Sequence, residues 1–260
     1  MSRILKTAAL TFLVFCVPLV AASMAQAETG YFHWRPGQEN PARAIFTGES
    51  LGAQLFTYIP PGEGSSLPVE CAGATLAGTE TGEEHMGELG LSYTTQNLTV
   101  HPTYFGTGGL GSSCKIQGVS SVLPVKTTGC HYRLAGSTGA SGHAALGIEC
   151  GTGAIETTFT SGTTCVIKIP TQTSTAAGVR YVNNKPAEEN RWDVKATLTA
   201  EGLAYTSNSA SACTLIGIAK EGTVKIAGEF TVRGYEDLKE TETGVYEEGS
   251  QIGIWQGPAA

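Results

Sequence analysis

Apolar and polar residues alternate along much of this chain with a period of two. In residues 223–235, Val224, Ile226, Gly228, Phe230 and Val232 fall on one face, and Lys225, Glu229, Thr231 and Arg233 on the other. Successive side chains of a strand point to opposite faces, so this pattern predicts a half-buried strand; no 3.6-residue stripe fits it. Residues 193–198 (Val194, Ala196 and Leu198 inward) and 97–104 (Leu98 and Val100 inward) follow the same rule. Weaker patterns at 54–59, 178–182 and 251–255 predict further strands.

Residues 129–170 carry the most information. Cys130, Tyr132 and Leu134 share a face, a Gly/Ser-rich turn follows at 136–142, and Leu146, Ile148 and Cys150 share a face on the return. A hairpin sets Leu134 opposite Leu146, Tyr132 opposite Ile148 and Cys130 opposite Cys150, so every inward residue meets an inward partner. The pattern continues through Gly151-Thr152-Gly153 into 155–160. A Ser161-Gly162 turn then leads to Cys165, Ile167 and Ile169. Together these predict a four-stranded antiparallel meander.

The first residues fix the expected compartment. Arg3 and Lys6 precede an apolar run at 8–22, and Ala25-Gln26-Ala27 offers small residues at the two positions a signal peptidase reads. This is a secretory signal, with cleavage expected after Ala27 and a secreted or cell-surface product. Phe15 before Cys16 does not suit lipidation. No later stretch reaches the roughly 20 apolar residues that span a bilayer as a helix. Six cysteines then remain: Cys71, Cys114, Cys130, Cys150, Cys165 and Cys213. None forms a C-x-x-C pair, and an even number in an exported chain predicts three disulfides. The meander register favours Cys130–Cys150, and sequence proximity then suggests Cys71–Cys114 and Cys165–Cys213.

The expected architecture is all-β: an antiparallel β-sandwich or two stacked β modules, stapled by disulfides. The organisation predicted is a signal at 1–27, an N-terminal β region at 28–182 holding the meander 129–170, and a C-terminal β region at 183–260 packed on the first, with a single domain as the alternative. Two segments echo each other in a T-x-(x)-G-x-x-Y spacing: residues 125–132, ending on Gly129 and Tyr132, and residues 197–205, ending on Gly202 and Tyr205. Loss of Arg3 and Lys6 takes the formal net charge from −7 to −9. An acidic chain without a basic cluster does not suit nucleic acid or anionic lipid.

Candidate chemistry is sparse. Gly48-Glu49-Ser50-Leu51-Gly52 matches the nucleophile pattern G-x-S-x-G, but that chemistry needs a strand-to-helix turn, and residues 53–59 pattern as a strand. The acidic stretches 80–88 and 236–248 lack the spacing of a calcium loop. His33, His85, His101, His131 and His143 show no metal-ligand spacing. Trp34, Trp192 and Trp255, with Tyr31, Phe32, Tyr93, Tyr104 and Tyr181, suit a β core first and a sugar- or peptide-binding platform second. Asn97-Leu98-Thr99 is a glycosylation sequon. No catalytic, metal or cofactor-binding residue is assigned.

Several segments together carry a resemblance: Leu98-Thr-Val-His-Pro-Thr-Tyr104, Gly129-Cys130-His-Tyr132, the Cys150 and Cys165 hairpins, Gly228-Glu-Phe-Thr-Val-Arg-Gly-Tyr235 and Gly249-Ser-Gln-Ile-Gly-Ile-Trp255. The chain resembles the uncharacterised exported β-rich, cysteine-containing proteins of soil actinobacteria. The resemblance implies a cell-envelope or extracellular setting and brings no site residues. The expectation is a non-enzymatic exported protein, structural or ligand-binding, with cell-wall polysaccharide or another exported protein as partner. A secreted hydrolase of polysaccharide or peptide is the alternative.

Overall fold

The computed structural model describes residues 30–258, apart from 37–40, 63–64, 88–89, 107–112, 119–121, 137–142, 175–177, 186–191 and 239–246. The expected signal at 1–27, most of the 136–142 turn and most of the 236–248 acidic stretch lie outside the described residues.

Strand β1 (Gly30–Trp34) opens the described chain and belongs to a small sheet at one end of the molecule. The chain then builds a wall of long antiparallel staves. The first is β2 (Arg43–Ser50) running on into β3 (Gln54–Ile59); the second is β4 (Leu67–Cys71) running into β5 (Gly73–Thr81). A hairpin of β6 (Glu83–Gly87) and β7 (Gly90–Thr95) leaves the wall before the third stave, β8 (Asn97–Phe105) and β9 (Ser113–Ile116). The fourth is β10 (Val122–Lys126) and β11 (Cys130–Ala135). The fifth is β12 (His143–Ala144), β13 (Leu146–Cys150) and β14 (Ile155–Ser161). The sixth is β15 (Thr163–Ile169), β16 (Gln172–Thr173) and β17 (Val179–Asn184). The last two are long strands, β18 (Asp193–Ser207) and β19 (Glu221–Leu238). After β19 come β20 (Glu247–Ile252), which adds to its end, and β21 (Ile254–Pro258).

Each stave pairs with the next, and β19 pairs back onto the first, Phe230 with Ser50 and Thr223 with Ile59, so eight staves close into a barrel. The expected all-β, disulfide-stapled character is present. The strands nevertheless do not separate into the two facing sheets of a sandwich. Strand β19 finds partners on both sides along its length, and closure leaves the wall without a free edge.

The meander is corrected in one respect. Strands β11 and β13 form the expected hairpin in the expected register, and β14 pairs with β15 as expected, Phe159 opposite Cys165. Strands β13 and β14, however, do not fold back on each other: β14 pairs with β10, Val125 opposite Thr157. Residues 151–154 bend one stave instead of reversing it. The terminal pattern at 251–255 likewise splits at Gly253 between β20 and β21.

The bends fall at mid-height around the wall. Gly129 and Gly202 both have positive φ, 71° each, and mark the waist of their staves. Each is followed three residues later by an inward tyrosine, Tyr132 or Tyr205, both buried. The sequence echo therefore records a shared bend. At the same level the first stave bulges at 51–53, where Gln54 Nε2 donates to the Gly52 carbonyl at 3.2 Å. Gly228 faces Gln54, and a Cβ there would collide with the Gln54 side chain.

Buried side chains from every stave occupy the interior. Tyr58, Phe56, Ile155, Ile167 and Val224 pack one half, and Phe46, Leu98, Leu134, Ile148, Tyr181 and Phe230 the other, in one continuous core. Tyr104 links the halves, edge-on to Phe56 at 4.9 Å and hydrogen-bonded to Tyr132. The disulfides are Cys71–Cys114, Cys130–Cys150 and Cys165–Cys213. The first two join neighbouring staves; the third ties the helix α1 (Ser211–Leu215) to β15 and closes that end. The opposite end is closed by a sheet in the order β21-β1-β7-β6, whose Phe32, Trp34, Tyr93 and Ile254 are buried.

Candidate functional site

Three wall residues fall short of the chemistry their sequence patterns suggest. Ser50 ends β2, and its Oγ accepts from the Ala74 amide at 2.9 Å. A strand, not a helix, follows it, so the nucleophile geometry is absent. His101 Nδ1 bonds the Cys130 carbonyl at 2.8 Å, and its ring lies edge-on to exposed His131 at 5.7 Å. Glu80 Oε1 accepts from the Thr99 amide at 2.7 Å. Among the described residues no group of three His, Cys, Asp or Glu is placed to hold a metal ion. No described helix is long and apolar enough to cross a membrane. The wall itself faces outward with ion pairs such as Arg133–Glu149, Lys168–Glu156 and Lys195–Glu229. Apolar-in and charged-out is the reverse of the alternation in a lipid-facing barrel.

The aromatic residues divide into two sets. Phe32, Trp34, Tyr93, Tyr104 and Tyr181 are core, with Phe32 edge-on to Tyr181 at 5.3 Å and Trp34 edge-on to Phe46 at 5.4 Å. Burial raises the hydroxyl pKa of Tyr58, Tyr104, Tyr132 and Tyr181 well above the ordinary phenol range, so these groups stay neutral. Tyr31, Trp192 and Trp255 are instead half-buried.

The second set assembles on the outer face of the cap sheet. Register places Glu83 opposite Thr94, Thr94 opposite His33, and His33 opposite Trp255 on one rung. The His33 and Trp255 rings stack at 5.5 Å with 6° between their planes. His85 reaches over β7 to within 5.6 Å of His33, and the β7 residues on that face are only Ser92 and Thr94. Trp192 meets Trp255 at 5.9 Å and 65°, and Lys185 Nζ stands 5.1 Å over the Trp192 ring. The Ile254 amide donates to the Trp192 carbonyl at 3.1 Å, which anchors Trp192 to the edge of the sheet. At the rim Gln96 Nε2 donates to the Tyr31 hydroxyl at 3.0 Å.

His33, His85, Trp192 and Trp255 come from four distant parts of the chain. Their convergence had no signal in the sequence beyond the presence of aromatic residues, and Lys185 had none. A depression of about 380 Å³ beside α1 is lined by Ser209, Thr214, Gly217, Ile218, Ala219 and Lys220, a largely small-residue wall. Searches against family models, characterised proteins and solved structures give no match for this chain.

Proposed function

We propose that this is an exported, non-enzymatic β protein of the cell envelope or extracellular space, binding its partner through the outer face of the cap sheet. The observation that carries the reading is the contrast between a barrel packed with side chains and a row of rings from four chain segments on the outer face of the cap sheet, in which His85, Trp192 and Trp255 are partly exposed around a buried His33. Among the described residues side chains take up the barrel interior, whereas partly exposed rings such as Trp192 and Trp255 are side chains that binding surfaces favour. Three disulfides fit an oxidising compartment. Cleavage after Ala27, an envelope setting of the kind found in soil actinobacteria, and cell-wall polysaccharide or another exported protein as partner complete the proposal.

The test is retention of the processed chain, residues 28–260, on purified cell wall, on polysaccharides and on culture-supernatant proteins. Retention that falls when Trp255 is replaced by Ala supports the reading; no retained partner overturns it. N-terminal sequencing of the exported protein should begin at Glu28. Hydrolysis of any of these materials by the pure protein would favour the secreted hydrolase instead.

A further inference from the structure

We infer that the corner between Trp192 and Trp255 binds an organic ammonium group carrying a nearby oxygen, and that Lys185 fills it when no ligand is present. This rests on the cap face being the binding face and gives that face its ligand chemistry.

The fold itself places a cation over the Trp192 wall of the corner. Strands β17 and β18 pair as far as Asn184 opposite Asp193, and one step further sets Lys185 against Trp192. Its ammonium accordingly lies 5.1 Å over the indole. A cation held over the face of a tryptophan is attracted by the negative face of the ring quadrupole, and tryptophan is the best ring for this. Two indoles at 65° supply two walls, and His33, stacked flat against Trp255, fixes the second wall in place. Rings already locked lose little freedom when a ligand arrives.

Two further features select the ligand. The chain carries a formal net charge of −7, which draws cations and opposes anionic polymers. The Trp192 Nε1 donor is buried with no hydrogen-bond partner. An ammonium compound with an adjacent hydroxyl or carboxylate, of the choline or betaine type, would bring an acceptor to it.

The internal competitor makes the inference testable. Tryptophan fluorescence of the processed chain is titrated at constant ionic strength with choline and with its uncharged isostere 3,3-dimethylbutan-1-ol. Choline should saturate the signal and the isostere should not. Lys185→Gln should tighten choline binding about threefold, because the resident cation no longer competes. Trp192→Phe, which keeps a ring to pack, should weaken it. Equal responses to choline and the isostere, or unchanged or weaker binding in Lys185→Gln, overturn the ammonium site. Retention on cell wall that persists without choline binding removes this inference and leaves the proposed function standing; loss of retention with choline binding intact does the opposite.

Discussion

The two ends of the barrel are closed by opposite means. At one end, four strands lay Phe32, Trp34, Tyr93 and Ile254 over the interior, joined by backbone pairing, burial and side-chain hydrogen bonds such as those of Asn183 to the Gln256 backbone. At the other, the five-residue helix α1 buries only Ala212 and Cys213, with Ile218 just beyond, and is fastened by Cys165–Cys213. A helix this short does not hold itself together in water. It also buries far less apolar surface than a pair of aromatic rings. The comparison teaches where a covalent bond is needed: at the cap whose packing is too small to hold it.

Truncation at the aromatic cap should have the largest effect. Trp34→Ala removes a fully buried indole and should lower stability by about 3–5 kcal/mol, read as a fall in the urea midpoint. A loss below about 1 kcal/mol would mean that the cap sheet is an appendage to the fold. Next comes the helical cap. Replacing Cys165 and Cys213 together by Ala should cost about 2–4 kcal/mol. Hydrogen exchange should then speed up mainly in residues 208–220, while the cap sheet keeps its protection. Faster exchange in the cap sheet as well would show that the two closures are coupled.

Alkaline titration tests the core between the caps. The buried phenols of Tyr58, Tyr104, Tyr132 and Tyr181 hold raised pKa values in the folded state. Above about pH 10 the unfolded chain releases protons that the folded chain keeps, so stability falls as pH rises. Each such tyrosine should cost about 1.4 kcal/mol per pH unit beyond that point. Tyrosinate absorbance should show the exposed phenols titrating first and the buried ones only with unfolding; a single smooth titration of all the phenols near pH 10 would contradict their burial. The smallest effect should be Asn208→Ala. Asn208 donates to the Thr164 carbonyl at 2.8 Å and accepts from the Val166 amide at 3.1 Å beside α1, so its loss should cost about 1 kcal/mol. With the disulfide also removed, the Asn208 cost should grow, since both hold the same segment.

Legibility in the sequence followed the range of the physics. The strand at 223–235 was plain because alternation is local, and the Cys130–Cys150 level was plain because one wrong step would turn every inward residue outward. Closure into a barrel was not legible, since it depends on Phe230 finding Ser50 across most of the chain. The reversal expected at Gly151-Thr152-Gly153 shows the same limit. Glycines mark a change of direction, but its angle depends on the neighbour that captures β14. The ring row lay furthest from view. Trp255 stacks on His33 only because the last strand returns beside the first, and short-range periodicity carries no trace of that.

That return has a kinetic meaning. Gly30 pairs with Pro258, so the second side of β1 stays unsatisfied until β21 arrives. Whether the chain leaves a ribosome or threads through a translocase, its first strand is delivered early and completed last. Such a contact, spanning nearly the whole sequence, is of the kind that slows folding. The barrel wall is free to assemble first, and the seal at its aromatic end, which needs both β1 and β21, is the closing event.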